Sequence, residues 1–427
     1  MRRAWRGIGV RAGLAIALAV AAAAAVPGGR GSGSGAAVPA RSGPPVFDHS
    51  PSDVPIPGPK ADRRAAREAL RRGGDRLWRF QAADGGWHSP LYGLLRSGQA
   101  YTPFALHALL EIPEDIVLRP VGGVERALAF IRNHLDARGA LGAADPDIVE
   151  YPNYATASAL RCAVRAGRSE DAALVARMRA YLVLQQFGTG DGFGAGDPAW
   201  GGWGFGGTRR PGAPGHLDVA HTRRVLQALR EAGGVGPPVF ERAFAFLARV
   251  QRLPAGGHPQ PPYDEDPDRA VPFDGGFYYS PLVLAANKGR LAPASPGAGA
   301  HYRSYATATC DGVLALVAAG APEDDPRVVA ARRWLEAHPR LDRPEGIPEE
   351  YPEPWGEALR FYHFAVRAEA YDALGVEGEW REDVVRRLIA VQAPDGAFRN
   401  DASHLMKEDD PVLATTLAVI TLTRAVH

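Results

Sequence analysis

The sequence predicts an all-α fold, built as a closed ring of six helical hairpins with six helices inside and six outside. The first observation behind this prediction is a short pattern that recurs roughly every 50 residues, apart from two longer intervals. The second is a more apolar helix that follows within each repeat. A hairpin of this kind buries its apolar face only against its neighbours, so we expect the ring to close on itself.

The recurring pattern is an apolar residue, a Gln four residues later, and then an Asp-Gly pair with an aromatic residue. Its first copy consists of Leu77, Gln81 and Asp84-Gly85-Gly86-Trp87. The other copies are Leu182, Gln186 and Asp191-Gly192-Phe193; Leu247, Gln251 and, after an insertion, Asp274-Gly275-Gly276-Phe277; and Leu388, Gln392 and Asp395-Gly396-Ala397-Phe398. Residues 127–135 and 331–338 fit the same frame without the Gln, which completes six repeats.

The second helix of each repeat is apolar nearly all round and rich in Ala and Thr. Helices of this composition belong inside a fold, whereas the first helices carry charged faces, as in 63–72, and should face solvent. The predicted inner helices span residues 102–110, 154–166, 218–232, 305–319, 357–374 and 410–425.

Composition is that of a globular protein without a strongly charged partner. The chain has 427 residues, of which 46% are hydrophobic, so it can bury a large core. Its 49 basic and 48 acidic residues leave a net charge of +1, with no long run of one sign. We therefore expect no nucleic-acid partner and no attraction to an anionic membrane.

The N-terminus resembles a secretory signal. Four arginines, at positions 2, 3, 6 and 11, precede the uncharged apolar run 12–26. That run is shorter than the about 20 apolar residues of a membrane span, so residues 1–26 are interpreted as a cleaved signal peptide, leaving no stable membrane span. An uncleaved anchor, or an Ala-rich leader of a cytoplasmic protein, is the alternative. We expect an exported protein, located in the periplasm, in the cell envelope or outside the cell.

Residues 27–60 are dominated by Gly, Ser, Pro and Ala and are interpreted as a disordered linker. Residues 61–427 then form the ring. Cys162 and Cys310 fall on the second and fourth predicted inner helices, with a whole helix between them. Because bridged Cα atoms usually lie within about 7 Å, we predict that the two thiols remain unpaired.

The Gln, Gly and aromatic pattern resembles the QW repeat of squalene and hopene cyclases. The helix count is similar to that of the (α/α)6 toroid that these enzymes share with protein prenyltransferase beta subunits. The resemblance covers about residues 61–427. It implies that the repeat residues are structural, joining helix ends to loops; these are Gln81, Trp87, Gln186, Phe193, Gln392 and Phe398.

The third inner helix begins with Leu217-Asp218-Val219-Ala220-His221-Thr222, where hopene-type cyclases have a segment resembling Asp-x-Asp-Asp-Thr. Such enzymes protonate an alkene with a neutral carboxylic acid. Here Ala220 stands in place of the proton donor. Asp218 is therefore a candidate acid or a helix N-cap.

The comparison with prenyltransferases points to Thr309-Cys310-Asp311-Gly312 and Phe361-Tyr362-His363-Phe364. In that family an Asp, a Cys and a His hold zinc, so Cys310, Asp311 and His363 are candidate metal ligands. Val313, however, occupies the position of the family's Cys. In the alternative interpretation Cys310 packs as a small apolar residue, the two polar side chains form hydrogen bonds, and no cofactor is present.

Further candidates lie near the starts of the inner helices, where a toroid has its cavity. Glu357 and Asp311 join Asp218 as candidate acids, and the Gly-rich loop 188–207 could cover the cavity. The candidate ligand-contacting residues are His221, Tyr154, Tyr305, Phe361 and Tyr362.

Three functions follow from these observations. The first is a non-catalytic exported toroid that binds an apolar, isoprenoid-like molecule or a polymer. The second is a diverged terpene-cyclase-like enzyme, and the third is a zinc-dependent prenyltransferase-like enzyme. The sequence does not fix the ligand or the oligomeric state.

Overall fold

The computed structural model describes residues 63–145, 147–207, 215–253, 273–283, 286–291, 301–349 and 353–426. The expected signal peptide 1–26 and linker 27–60 lie outside the described residues. The helices are α1 (Arg63–Arg79), α2 (Tyr101–Glu111), α3 (Gly123–His134), α4 (Pro152–Ala166), α5 (Ala172–Leu184), α6 (Val219–Ala232), α7 (Pro237–Val250), α8 (Ala306–Ala319), α9 (Pro326–Ala337), α10 (Trp355–Ala358), α11 (Arg360–Ala373), α12 (Trp380–Val391) and α13 (Pro411–Ala425). Strands β1 (Arg290–Leu291) and β2 (His301–Tyr302) form one short antiparallel pair.

The ring is formed by six inner helices, α2, α4, α6, α8, α11 and α13, each packed against the next. It closes where α13 packs against both α2 and α1. Two hydrogen bonds fasten this closure: Gln392 Nε2 donates to the Ala69 carbonyl at 3.0 Å, and Arg63 Nε donates to the Val426 carbonyl at 3.1 Å. The predicted all-α ring of six hairpins is thus confirmed.

The inner helices run in one direction because an outer helix returns the chain between them. Their C-terminal ends are joined by ion pairs, between Arg161 and Glu231 at 2.6 Å and between Arg424 and Glu111 at 2.9 Å. The starts of the inner helices therefore share the opposite end of the ring. This is the end at which the sequence places the candidate site.

In the four repeats that carry it, the Gln joins its own loop to the next outer helix. Gln81 Nε2 donates to the carbonyl of Gly85 at 3.0 Å and to that of Gly123, the first residue of α3, at 2.9 Å. The same pair of donations links Gln186 to Gly201 and Val239, Gln251 to Gly275 and Arg327, and Gln392 to Gly396 and Ala69. These residues hold the ring together, as the sequence predicts.

The aromatic residue of each repeat binds a threonine near the start of the following inner helix. The backbone N–H of Trp87 donates to Thr102 Oγ1 at 2.9 Å. The equivalent pairs are Trp203 with Thr222, Phe277 with Thr309, and Phe398 with Thr415, each at 3.0 Å. This contact accounts for one threonine in each of these four inner helices.

One assignment within the repeats is wrong. The partner of Gln186 is Gly201-Gly202-Trp203, not Asp191-Gly192-Phe193, because Gln186 donates to the Gly201 carbonyl. Phe193 instead packs edge-to-face on Phe187, with ring centroids 5.2 Å apart. The inserted residues carry a second Asp-Gly-aromatic sequence that the linear pattern cannot tell from the first.

Aspartates cap three of the helix starts, and for Asp218 the N-cap interpretation is confirmed. Asp218, Asp325 and Asp410 are N-caps whose carboxylates accept from the backbone N–H groups of His221, Arg327 and Val412. The fifth inner helix departs from the prediction, because a break at Leu359 separates the single turn α10 from α11. In the described part of the chain, every helix is too short or too polar to span a bilayer.

Both cysteines are buried and free, which confirms the prediction that they are unpaired. Burial raises the pKa of Cys310 to about 12, and it raises that of Cys162 further. We expect neither thiol to react with a maleimide in the native protein and both to react after denaturation, with reductant leaving the melting temperature unchanged. Rapid labelling of the native protein, or a peptide linking the two residues in a non-reducing digest, would contradict this.

Candidate functional site

Asp218 and His221 form a buried acid–base pair at the start of α6. The Asp218 carboxylate accepts from the backbone N–H of His221 at 2.8 Å and contacts the Nδ1 atom of the same ring at 2.8 Å. His216 Nδ1 lies 3.3 Å from Oδ2, the same carboxylate oxygen that the His221 ring contacts. Burial disfavours the charged form, but His221 and His216 outweigh burial and hold the pKa of Asp218 well below its ordinary value.

Six aromatic side chains near the starts of the inner helices remain partly exposed, although they lie between packed elements. We call them the aromatic rim. They are Tyr151, Tyr154, Phe205, Tyr279, Trp355 and Tyr362. Phe205 belongs to the loop 188–207 and places its ring centroid 4.7 Å from that of His221. The loop thus contributes an aromatic ring at this end, as the sequence suggests.

Tyr151 has a strained backbone. Its φ angle is 44°, in the left-handed region that a tyrosine rarely adopts. The residue is the N-cap of α4, and its ring meets Phe205 edge-to-face at 5.0 Å. Strain of this kind clusters at ligand sites, which is consistent with a site at the rim.

The centre of the ring is occupied by an ion network around Arg223 of α6. Its Nη1 donates to Asp311 Oδ1 of α8 at 2.9 Å, and its Nη2 donates to Glu369 of α11. The hydroxyl of Tyr362 donates to Asp311 Oδ2 at 2.8 Å. Arg223, Asp311, Glu369 and Tyr362, with the neighbouring Arg224, are called the central cluster.

The two carboxylates of the central cluster differ in their electrostatics. Burial raises the pKa of Asp311, although Arg223 and Tyr362 oppose the change. Burial also disfavours the Glu369 carboxylate, but two guanidinium groups, those of Arg223 and Arg224, lower its pKa to about 2. The network is therefore ionised at neutral pH on the Glu369 side.

Arg224 lies next to this network and is only 4% exposed. Its guanidinium carbon is 5.5 Å from the ring centre of Tyr154 and 5.6 Å from that of Phe104. Its Nη2 atom is 3.8 Å from the Glu369 carboxylate, beyond hydrogen-bond distance. Among the described residues this buried atom has no hydrogen-bond partner.

Tyr362 is positioned by a carboxylate from the following repeat. The buried Glu408 accepts from the backbone N–H groups of Phe361 at 2.9 Å and Tyr362 at 2.7 Å, the first turn of α11. Asn400 adds a third donor at 3.1 Å. Glu408 thus caps α11 and fixes the residue that bonds to Asp311.

The structure brings some of the predicted site residues together and leaves others apart. Tyr154, His221 and Tyr362 lie at the rim with Asp218, and Asp311 lies below them in the central cluster. Glu357 is exposed on α10, and its backbone carbonyl accepts from Asn400. Tyr305 and Phe361 are buried in the core, where Phe361 packs against Phe364 and Phe398.

The three candidate zinc ligands do not converge. Asp311 is engaged by Arg223 and Tyr362, whereas the His363 Nε2 atom pairs with the Arg340 carbonyl at 3.0 Å. Burial lowers the pKa of His363 to about 3. Across the described ranges no three His, Cys, Asp or Glu side chains are grouped so that they could hold a metal. The residues present do not fit the predicted site.

Sequence reasoning missed Arg223, Arg224 and Glu369. A signal was present, because charged residues are rare within helices that are otherwise apolar on every side. Their partners lie on other helices: Arg223 and Glu369 are 146 positions apart in the chain. The local pattern therefore marks the residues as unusual but does not pair them.

The ring resembles two kinds of known structure. The type II terpene cyclase MstE from Scytonema, as a variant in complex with geranylgeranyl dihydroxybenzoate, matches with a TM-score of 0.50 at 14% identity, over 85% of this chain and 98% of the cyclase. The ligand-free cyclase matches with a TM-score of 0.51 at 13% identity, over 85% and 99%. An α-1,6-mannanase variant from Salegentibacter in complex with α-1,6-mannotriose gives 0.47 at 12% identity, over 85% and 98%.

No family model and no curated protein matches the sequence. At 13 to 14% identity the likeness to the cyclase concerns the fold. The chain is an α/α toroid of the kind found in a type II terpene cyclase.

Proposed function

We propose that this chain is an exported, terpene-cyclase-like toroid that binds an apolar, isoprenoid-like ligand at the aromatic rim and does not cyclise it. The observation that carries the proposal has two parts. The carboxylates of the inner helices are bound by basic side chains, and a ring of aromatic side chains beside them stays partly exposed. Export is proposed from the sequence, on the basic and apolar segments of residues 1–26.

Cyclisation started by a proton requires a neutral carboxylic acid with a free O–H. Asp218 is held as a carboxylate by two histidines, and Ala220 has no proton to give. Asp311 has a raised pKa, but its two oxygens accept from Arg223 and Tyr362. Neither carboxyl group therefore offers the free O–H that protonation of an alkene requires.

Binding of an apolar ligand, unlike cyclisation, requires no acidic group. When a ligand covers aromatic rings that stay partly exposed between packed helices, the complex is stabilised by about 25 cal/mol for each Å² of apolar surface removed from water. The rim supplies six such rings around one end of the inner helices. A ligand of isoprenoid type presents apolar surface of matching character.

The experiment combines extraction and incubation. Organic extracts of the purified protein should contain an apolar molecule, and added squalene should be recovered unchanged. The variant Tyr154→Ser with Tyr279→Ser should lose the extracted molecule, whereas Leu118→Ser, at a side chain 84% exposed, should retain it. A polycyclic product that disappears in Asp218→Asn would establish a cyclase instead, and a bound polysaccharide in place of a lipid would refute the apolar ligand.

A further inference from the structure

We infer that the ligand bound at the rim carries a carboxylic acid group, which Arg224 and His221 recognise together. This inference rests on the proposed function and names the polar end of the ligand. It starts from two buried side-chain atoms, Arg224 Nη2 and His221 Nε2, which have no hydrogen-bond partner among the described residues. Buried polar atoms are nearly always paired, so each of these two atoms requires an explanation.

The two side chains belong to one site. Residues three apart on a helix lie on the same face, roughly 5–6 Å from each other. Both flank the same ring: the His221 centroid is 6.0 Å from that of Tyr154, and the Arg224 guanidinium carbon is 5.5 Å from it. Arg224 and His221 are 4% and 6% exposed, so each is desolvated in the absence of a ligand.

Arg224 reaches towards the axis of the ring. It is on α6, and the carboxylate nearest to it, that of Glu369, is on α11, with α8 between these two helices around the ring. Because Arg223 already occupies Glu369 and Asp311, the buried Nη2 atom of Arg224 is left without an acceptor among the described residues. It can donate to an acceptor oxygen of a ligand.

His221 supplies the complementary partner. A carboxylate can only accept, so Nδ1 carries the proton that faces Asp218, and Nε2 offers a lone pair when the ring is neutral. It can therefore accept an O–H. A carboxylic acid matches both atoms, since its carbonyl oxygen accepts from Arg224 and its hydroxyl donates to His221; if the proton moves, the product is a carboxylate beside an imidazolium that Asp218 stabilises.

The number of unpaired donors favours this acid over a phosphate or diphosphate. The carboxylates of Asp218, Asp311 and Glu369 are offset by Arg223, Arg224 and Lys288, whose Nζ lies 4.9 Å from the ring centres of Tyr279 and Trp355. A single buried guanidinium nitrogen without a partner suits one acidic group rather than two. A methyl ester has no O–H and would satisfy only Arg224, whereas an alcohol can satisfy both atoms but cannot form the charge-assisted bond that an ionised acid forms with the guanidinium.

The test measures binding of three matched probes to the full chain by calorimetry: farnesoic acid, its methyl ester and farnesol. We expect the acid to bind about tenfold to a hundredfold more tightly than either of the others, the range for hydrogen bonds to charged groups. In Arg224→Met this preference should disappear while farnesol binding is retained. Arg230→Met, on the same helix but bonded to carbonyls at the far end of α8, should keep the preference.

The outcomes separate the two proposals. Equal binding of the three probes to the unmodified protein would overturn the carboxylic acid inference and leave the apolar site standing, and this comparison does not depend on whether the variant folds. A preference that survives in folded Arg224→Met would also overturn it. If none of the probes binds, the proposed function itself fails.

Discussion

Replacing Arg223 with methionine is expected to lower the free energy of unfolding by about 3–5 kcal/mol, the usual cost of removing one partner of a buried ion pair. The side chain is fully buried and holds two carboxylates, those of Asp311 and Glu369. Without it, Asp311 keeps only the Tyr362 hydroxyl and Glu369 keeps Arg224 at 3.8 Å. Urea denaturation followed by circular dichroism would measure the loss.

Two controls test whether the loss of stability comes from the carboxylates left without a partner. Adding Asp311→Asn and Glu369→Gln to the variant removes the uncompensated charges and should recover most of the lost stability, because neutral substitutes for buried ions are often tolerated. Arg332→Ala breaks an exposed pair with Glu336 and should change stability by less than about 1 kcal/mol. If Arg223→Met is as mild as Arg332→Ala, the central cluster does not stabilise the ring.

The central cluster also bears on chemistry. A toroid that protonates alkenes keeps an acidic group free and dry, whereas here cations hold the carboxylates in the middle of the ring. The residues aligned with the hopene-type motif lie instead at the start of α6, where His221 and His216 contact the Asp218 carboxylate.

The fold could be predicted from the sequence because the residues that connect one helix to the next recur at similar positions in the repeats. Gln81 and Gln392 each lie four residues before the glycine whose carbonyl they bind, so a linear pattern records the contact. The same reasoning misplaced Phe193, since an insertion brought a second Asp-Gly-aromatic sequence into the same loop. Only the hydrogen bond from Gln186 to Gly201 distinguishes the two.

The site was less predictable because it depends on contacts across the ring. Asp218, His221, Tyr154 and Tyr362 could be selected from positions near helix starts, where the cavity of a toroid lies. Which residues reach the axis depends on how each helix is rotated, and an apolar helix gives no polar face from which to infer that rotation. This is why Arg224 was missed and why His363 was chosen although it points to the Arg340 carbonyl.

Replacing Trp203 with alanine is the second change with a large expected effect, about 3–5 kcal/mol, as for other buried aromatic residues. The side chain is fully buried, and its Nε1 donates to the Leu182 carbonyl at 2.8 Å. Its backbone pairs with Asp218, whose N–H donates to the Trp203 carbonyl at 3.3 Å. The variant should therefore loosen the start of α6 as well as the core.

Two further variants divide that effect. Trp203→Phe keeps most of the ring but loses the indole N–H, which leaves the Leu182 carbonyl without this donor and should cost about 1–3 kcal/mol. Trp200→Ala alters a partly buried ring three residues away in the same loop and should cost less than Trp203→Ala. Urea denaturation of the three proteins gives the ranking. If Trp200→Ala lowered stability more than Trp203→Ala, Trp203 would not be the structural aromatic residue of the third repeat. The alignment of Gln186 with Gly201 and Trp203 would then be wrong.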